Sequence, residues 1–184
     1  MPKWSNEIPI DPRGPAFPII RTPPFKPLTA TVTSEDLIGC FTHFYKGRTT
    51  PCDAPTCSAC ADGMPFRWHA YMSAYDSAQG LHFLFECTAQ AADTFVEYRD
   101  AYGTLRGCCF QARRLGGKVN GRILIKTKPA KLDNVRLPQP PNIIACLSIL
   151  WDLPTSELDA SKRNPEKNTT QITREPTDEP PPAA

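Results

Sequence analysis

Alternating apolar and polar positions run through the middle of the chain and predict β-strands. Residues 66–72 and 81–87 carry apolar side chains at every second position, and a period of two puts alternate side chains on opposite faces of a sheet. Residues 37–45, 105–114 and 121–128 are rich in the apolar, β-branched and aromatic residues that strands favour. The pattern therefore predicts five strands.

Two stretches carry the longer period of an α-helix. In residues 89–102 apolar side chains recur at helical spacing, Thr88 stands where an N-cap is expected, and Gly103 follows as a stop signal. Residues 137–151 begin with prolines and continue into an apolar run, which predicts a short C-terminal helix. The first helix falls between the third and fourth predicted strands.

This order of elements is that of the OB-fold, a small, partly open Greek-key barrel of five strands. The sequence thus predicts an all-β-dominated fold with minor α content. It would be a five-stranded OB-like barrel with one helix between strands 3 and 4, a short C-terminal helix, and a turn-rich insertion after strand 1.

Proline marks the expected domain boundaries. Of 21 prolines, eight lie in residues 2–27 and six in residues 154–182. Proline fixes φ and removes a hydrogen-bond donor, so such segments do not easily build regular structure. We therefore expect a proline-rich flexible arm at 1–33, an OB-like domain at 34–153, and a disordered, acidic, proline-rich tail at 154–184.

The insertion after strand 1 concentrates residues that bind metals. Cys57-x-x-Cys60 has the spacing at which two thiolates hold one tetrahedral ion, and Cys52 and His43 can complete a closed Cys3His set. Four protein ligands leave no position for a reactive water, so the predicted ion is a structural Zn²⁺. The sequence leaves the fourth ligand open: His43 lies just before the insertion, and Cys40 or His69 could replace it in that role.

The charge distribution suggests an anionic partner. The net charge of +2 combines a basic body, with 12 Lys and Arg against 8 Asp and Glu in residues 36–131, and an acidic tail, with 4 against 7 in residues 152–184. A basic body with an acidic tail suits a polyanion whose binding site the tail can screen. Apolar runs are too short to span a bilayer and the N-terminus lacks a secretory pattern, so we expect a cytoplasmic protein whose eight cysteines stay reduced.

Single-stranded nucleic acid is the polyanion that the basic and aromatic residues fit best. Proteins that bind it combine positive charge along a groove with aromatic side chains on which bases stack. The candidate contacts lie in the predicted strands and in the two loops that close over ligands in OB-folds. They are Tyr45, Lys46, Arg48, Arg67, His69, Tyr71, Arg113, Lys118, Arg122 and Lys126. These residue types do not distinguish DNA from RNA.

The chain also resembles known proteins in its motifs. His-x-x-x-Gly-Arg-Thr-x-Pro at 43–51, Cys57-x-x-Cys60, Glu-Tyr-Arg-Asp-x-x-Gly-Thr-Leu-Arg-Gly at 97–107 and Asn-Gly-Arg at 120–122 are similar to motifs of a group of uncharacterised bacterial proteins. The zinc-binding insertion in an OB-like order also resembles zinc-containing OB-fold proteins that bind single strands. These resemblances imply a bacterial source and a shared fold.

An enzyme is not predicted. The sequence shows no evident Ser-His-Asp or Cys-His pairing, no glycine-rich phosphate loop after a strand and no paired-carboxylate motif, so a small-molecule substrate is not expected. The alternative to nucleic-acid binding is a zinc-stabilised protein-interaction adaptor, or an accessory subunit of a nucleic-acid-processing complex. Its proline-rich arms would then dock in aromatic grooves of partner proteins.

Overall fold

The computed structural model describes residues 17–119, 121–131, 136–151 and 153. Strands make up 40% of these residues and helices 23%, so the expectation of a β-dominated chain with minor α content is confirmed. The strands are β1 (Ile19–Arg21), β2 (Leu28–Val32), β3 (Ile38–Tyr45), β4 (Arg48–Pro51), β5 (Phe66–Asp76), β6 (Leu81–Thr88), β7 (Cys108–Arg114) and β8 (Ile123–Pro129).

All eight strands belong to one sheet. Six follow each other in the order β1-β6-β5-β2-β7-β8, and β3 pairs with both β4 and β5. Strand β5 is the longest and divides one edge between two partners: β3 runs beside its first half, and β2 pairs with Ala74 and Tyr75. Only the β1–β6 pairing is parallel among the described strand pairs.

Among the described residues three α-helices accompany the sheet, α1 (Ser58–Ala61), α2 (Ala89–Tyr102) and α3 (Ile143–Trp151), together with one 3-10 turn at Leu115–Gly117. Helix α2 ends as predicted at Gly103, whose φ of 78° is the left-handed conformation that glycine adopts without strain. Helix α3 begins six residues later than the sequence suggests. The Asn142 side-chain oxygen there accepts a hydrogen bond from the backbone N–H of Ala145, as an N-cap does.

The two longer helices cover opposite faces of the sheet. On the α2 face Phe85 and Phe110 lie with ring centroids 4.8 Å apart, and Phe95 of α2 packs against both. On the other face Leu84 and Tyr71 pack against α3. Strands β5 and β6 are therefore buried on both faces. This explains why they carry apolar side chains on both faces and not only at every second position.

The predicted five-stranded barrel is wrong. The sheet is open, and it gains three strands that the hydrophobic pattern did not reveal, β1, β2 and β4. Strand β2 lies between β5 and β7 and is hydrogen-bonded to both. It therefore separates the predicted strands β5 and β7, so these two do not pair with each other.

The predicted N-terminal arm also needs correction. Residues 17–33 of that range include β1 and β2, and Val32 and Ala30 are buried in the core. Prolines flank these strands instead of interrupting their hydrogen-bonded positions, which is where a sheet tolerates them. Residues 1–16 and the tail at 154–184 lie outside the described residues. None of the described helices is long and apolar enough to cross a membrane.

Candidate metal centre and adjoining clefts

A tight hairpin carries the first part of the candidate metal centre. Strands β3 and β4 are joined by the two-residue turn Lys46–Gly47, in which both residues have positive φ, 50° and 80°. This is the combination of a type I′ turn, whose twist matches that of paired strands. The hairpin continues beyond its last strand pair, since the backbone N–H of Cys52 donates to the Phe41 carbonyl. Cys52 therefore lies beside β3, close to His43.

The other two cysteines lie on the short helix α1. Cys57 is its N-cap residue and Cys60 lies in its single turn, where Ala61 N–H donates to the Cys57 carbonyl. The chain then returns through Pro65 to Phe66, which pairs in register with His43. The helix turn thus holds the two thiols of the Cys-x-x-Cys motif against the hairpin.

The four predicted ligands converge on one point. The ligand atoms of His43, Cys52, Cys57 and Cys60 all lie within 4.8 Å of one another, with Cys52 Sγ 3.5 Å and His43 Nε2 3.3 Å from Cys60 Sγ. Around a tetrahedral ion with Zn–S distances near ~2.3 Å and Zn–N near ~2.0 Å, neighbouring ligand atoms would be about 3.5–3.8 Å apart. The observed spacing therefore fits a metal ion held by all four side chains.

The histidine is oriented for this role by a hydrogen bond on its other nitrogen. His43 Nδ1 lies 3.1 Å from the Pro65 carbonyl oxygen. A carbonyl can only accept, so Nδ1 carries the proton and Nε2 presents its lone pair toward Cys60. Metal-bound histidines are commonly held in this way by a backbone carbonyl. The side chain is also only 1% exposed, so it is fixed before any ion binds.

The thiols differ in how easily they ionise. The backbone N–H of Cys60 lowers the pKa of the Cys57 thiol, against the opposing effect of burial. The pKa of Cys60 is raised, first by its contact with the Cys52 thiol and then by burial. Neighbouring thiolates repel each other, so a divalent cation is needed to stabilise all three in the ionised form.

The two alternative fourth ligands lie elsewhere. Cys40 packs against the cluster beneath α3, where burial raises its thiol pKa to about 11. His69 uses Nδ1 in a 2.7 Å contact with the Thr42 hydroxyl. In β3, residues with even numbers point away from the face that holds His43, so strand alternation excludes Cys40 from the cluster.

Two clefts adjoin the β3–β4 hairpin and share Phe44 and Thr49. One, of about 350 Å³, extends to Arg67 and His69, and the other, of about 290 Å³, extends to Arg48 and to the end of α3. We call the surface formed by these five residues, Phe44, Arg48, Thr49, Arg67 and His69, the aromatic groove. Phe44 is 67% exposed at its centre.

Three predicted nucleic-acid contacts, Arg48, Arg67 and His69, therefore border one groove. Burial lowers the pKa of His69, which keeps its imidazole neutral near pH 7. Tyr45 and Lys46 lie on the hairpin itself and contact each other, with Lys46 Nζ 4.9 Å from the Tyr45 ring centroid. The Tyr45 hydroxyl donates to Asp62, so this ring is already engaged on its own face of the hairpin.

The remaining predicted contacts lie on the β7–β8 hairpin. Arg113 and Lys126 are exposed on the face of the sheet turned away from α2. In β7 the even-numbered Phe110 and Ala112 are buried, so the odd-numbered Arg113 points the other way, and Lys126 of β8 pairs with Gln111 on that same side. Lys118 and Arg122 are exposed near the connection between the two strands. These four side chains form a second basic region.

The prediction for Tyr71 is wrong. This residue is fully buried beneath α3, its ring centroid lies 5.5 Å from that of Trp151, and its hydroxyl donates to Glu86. Burial raises the pKa of its phenol far above the ordinary range. Strand alternation correctly predicted that Tyr71 and Met72 lie on opposite faces of the sheet. The face that carries Tyr71, however, is covered by the apolar side of α3.

A third cleft, of about 410 Å³, contains functional candidates that the sequence did not reveal. It lies where β1 and β6 end and is bordered by Arg21, Arg67 and Arg114 together with Glu86. We call it the arginine cleft. Arg21 and Glu86 are register partners in β1 and β6, 65 positions apart in the chain. Only the parallel pairing of the unforeseen strand β1 brings them together, so no local sequence signal could have found them.

Comparisons of the chain with protein-family models, with curated proteins and with solved structures found no match in any of the three. What the chain does is therefore inferred from the geometry of its own residues.

Proposed function

We propose that this chain is a non-enzymatic protein that binds single-stranded nucleic acid through the aromatic groove. In this proposal a structural Zn²⁺, held by His43, Cys52, Cys57 and Cys60, fixes the β3–β4 hairpin that forms one wall of the groove. The observation that favours it most is the exposure of Phe44, which is 67% exposed and borders two clefts, one of which includes Arg48 and the other Arg67.

Zinc is the metal that suits the donor set. Three thiolates and one imidazole are soft and borderline ligands in a closed tetrahedral arrangement, which is typical of structural zinc. The hydrogen bond from His43 Nδ1 to the Pro65 carbonyl adds the outer contact that such sites usually have. Because strand β3 carries both His43 and Phe44, an ion bound on one face of the hairpin also restrains the groove on the other.

Stacking and charge explain the choice of ligand. An exposed phenylalanine offers an unpaired base a flat surface, and base–aromatic stacking contributes about 1–3 kcal/mol per base. The arginines that border the same clefts, Arg48 and Arg67, can bind the phosphates that flank that base. Double-stranded nucleic acid has no unpaired base to offer Phe44, so we expect single strands to bind more tightly.

One cluster of two hydroxyl groups and a histidine resembles a catalytic arrangement, but its hydroxyl groups are buried and it does not favour an enzymatic function. Thr33 Oγ1 lies 2.6 Å from Ser73 Oγ and 2.9 Å from His82 Nε2, an arrangement that in an open site could activate a nucleophile. Both hydroxyl-bearing residues are completely buried, so a substrate could not reach them. We therefore assign this cluster to the packing of the sheet.

A protein-interaction adaptor, or an accessory subunit of a nucleic-acid-processing complex, is the second candidate. It is favoured by Phe41 and Phe66, which pack edge to face at 5.3 Å on the metal side of the hairpin and are 50% and 56% exposed. Neither borders the aromatic groove. An apolar pair of this kind suits another polypeptide.

The test is a titration of a fluorescent deoxythymidine oligonucleotide with the zinc-loaded full chain at two salt concentrations. Phosphate contacts release counterions, so affinity should fall steeply as salt rises. Phe44→Ala should weaken binding about 5- to 160-fold, the range that corresponds to loss of one stacked base at ~1–3 kcal/mol. Tyr102→Ala serves as the matched control, since Tyr102 is an equally exposed aromatic residue on α2.

Three results would count against the proposal. They are no binding at low salt, an affinity independent of salt, and equal loss in the Phe44 and Tyr102 variants. Selective loss of a protein partner in a Phe41→Ala variant that still binds the oligonucleotide would instead support the adaptor.

A further inference from the structure

We propose that the arginine cleft is a binding site for a phosphate group. It shares Arg67 with the aromatic groove but differs from it in chemistry, because it gathers three guanidinium groups and includes no phenylalanine, tyrosine or tryptophan. That the phosphate belongs to a nucleic-acid strand rests on the proposed function, but recognition of the phosphate itself does not.

The cleft contains more positive than negative charge. Its border includes three arginines and one carboxylate, Glu86, which leaves an excess of two positive charges. Glu86 is fully engaged by Arg21, which donates to its two oxygens from Nε and Nη2, and by the Tyr71 hydroxyl. The carboxylate therefore balances Arg21 and leaves Arg67 and Arg114 without an acidic counterpart in the cleft.

Two of the arginines are held in place before a ligand arrives. Arg114 donates from Nε to the Thr22 carbonyl and from Nη1 to the Gly121 carbonyl, and neither acceptor carries a formal charge. Arg21 is fixed by Glu86 and also donates to the Thr49 hydroxyl. Preorganised donors lose less conformational entropy on binding than mobile surface side chains do.

Arg67 supplies the remaining charge. Its side chain is exposed, and within the described part of the chain its guanidinium has no hydrogen bond or ion pair. A guanidinium can present two parallel N–H groups to the oxygens of a phosphate, which makes arginine the usual residue for this recognition. His69 and the Thr49 hydroxyl, which also border the cleft, add neutral polar contacts.

The position of the cleft agrees with this ligand. Thr49, Arg67 and His69 border both the arginine cleft and the first of the two clefts of the aromatic groove. A strand with one base on Phe44 could therefore place a neighbouring phosphate near Arg67 and Arg114. Phe44 would then hold the base, and the arginines of the cleft, including the shared Arg67, would hold the neighbouring phosphate.

The closing experiment uses inorganic phosphate as the probe, so that no nucleic acid is needed. Calorimetric titration of the zinc-loaded full chain in low-ionic-strength chloride buffer should detect phosphate binding. Arg67→Gln and Arg114→Gln should each weaken it about tenfold or more, since each removes charged hydrogen bonds. Arg136→Gln is the control, because Arg136 is exposed and borders none of the three clefts.

Arg114 also braces its own hairpin, so its variant could lose structure for that reason. Arg114→Lys keeps the charge but not the forked donor, and thermal unfolding of each variant separates weak binding from weak folding. Reduced affinity in a variant that unfolds at the wild-type temperature supports the proposal. No phosphate binding by the wild type, or equal affinity in the Arg67, Arg114 and Arg136 variants, overturns it.

Oligonucleotides then identify the source of the phosphate. Tighter binding of a 5′-phosphorylated oligonucleotide than of its 5′-hydroxyl counterpart would assign the cleft to a strand end, and equal binding with competition by free phosphate to a backbone phosphate. An oligonucleotide that binds while inorganic phosphate neither binds nor competes would refute the cleft and leave the proposed function intact. Phosphate binding without any oligonucleotide binding would retain the anion site and refute the proposed function.

Discussion

The β3–β4 hairpin beside the candidate metal centre and the centre of the sheet are stabilised in different ways. In the centre, Phe83, Phe85, Phe95 and Phe110 are at most 1% exposed and pack against each other across the sheet and α2. In the hairpin and its adjoining strand end, Phe41, Phe44 and Phe66 are all at least 50% exposed. The same residue type is thus core in one region and surface in the other.

The difference shows what each region needs in order to stay folded. Burial of large apolar side chains stabilises the centre, at about 25 cal/mol per Å² of apolar surface. The segment from Cys52 to Pro65 has only two residues, Cys57 and Ala59, in the buried class. It cannot hold one conformation by burial alone, so the proposed Zn²⁺ would supply most of its stability. The rings of Phe41, Phe44 and Phe66, which flank this segment in the fold, then remain at the surface, where the proposed function requires them.

Removal of the metal should have the largest effect of any change. Structural zinc sites in small peptides contribute about 10–16 kcal/mol of apparent binding energy, and that energy is coupled to folding. A strong chelator, or Cys57→Ser, should therefore release the ion and unfold residues 48–65 while β5, β6 and α2 remain folded. Hydrogen exchange of the two regions, with zinc measured by atomic absorption, checks this.

Ser58→Ala is the matched control for that variant, since Ser58 is the exposed neighbour of Cys57. Protein purified without chelator that contains no zinc would contradict the assignment of the metal. Equal loss of hydrogen-exchange protection in residues 48–65 and in β5, β6 and α2 would show that the sheet also depends on the ion. The two regions would then not be stabilised independently.

The reciprocal change is made in the centre of the sheet. Phe85→Ala removes a ring that contacts both Phe95 and Phe110, and a cavity of this kind costs about 3–5 kcal/mol of unfolding free energy. Any bound zinc should be retained at the wild-type content, because none of the three candidate cysteine ligands belongs to this core cluster. Urea unfolding followed by circular dichroism, together with zinc analysis, measures both quantities. Loss of zinc in a variant that is still folded would show that the two regions are not separate.

Gly39 lies in β3, the strand that connects the hairpin to β5 of the sheet. Its substitution should lower the unfolding free energy by less than Phe85→Ala does. Gly39 is opposite Ala70, and a Cβ at this position would be 1.8 Å from the ring of Trp68. Gly39→Ala should therefore displace the indole and cost about 1–3 kcal/mol. Gly80→Ala is the comparison, because its Cβ would meet open space although its positive φ adds strain. A Gly39 variant as stable as the wild type would show that Trp68 moves without cost.

The sequence predicted the parts of this structure that depend on neighbouring residues. Alternation gave β5 and β6, helical spacing with Gly103 gave α2, and the Cys57-x-x-Cys60 spacing gave the metal cluster. Strands β1 and β2 were missed because their flanking prolines indicated a flexible arm. A sheet accepts proline just outside a paired segment, so proline content alone could not decide between arm and strand.

The arginine cleft could not be predicted for a different reason. Arg21, Glu86 and Arg114 are distant in the chain, and their meeting depends on the strand order and the register of β1 with β6. The burial of Tyr71 depends likewise on where α3 packs. The hydrophobic periodicity of a strand indicates which face of the sheet a side chain occupies. It does not indicate which other element packs on that face. Those relations appear only with the tertiary structure.

The smallest effect concerns the pH dependence of the sheet after the metal has been removed. Burial, followed by the positive charge of Arg106, lowers the pKa of His82, whose ring also packs against Phe17 and Tyr75. The unfolded chain therefore binds a proton more readily at this position than the folded chain does. The resulting contribution to stability is complete above the ordinary imidazole pKa of about 6.5 and declines as the pH falls below it.

His82→Gln removes this titration while leaving a side chain that can still bond to Thr33. Its unfolding free energy, measured with urea in chelator between pH 7.5 and 5, should fall less steeply than that of the wild type. The chelator removes any bound ion beforehand, so that release of a metal at acid pH does not contribute to the measured slope. His69 is present in both proteins, so its lowered pKa contributes equally and cancels in the comparison. Identical slopes would mean that His82 is accessible enough in the folded sheet to be protonated without cost.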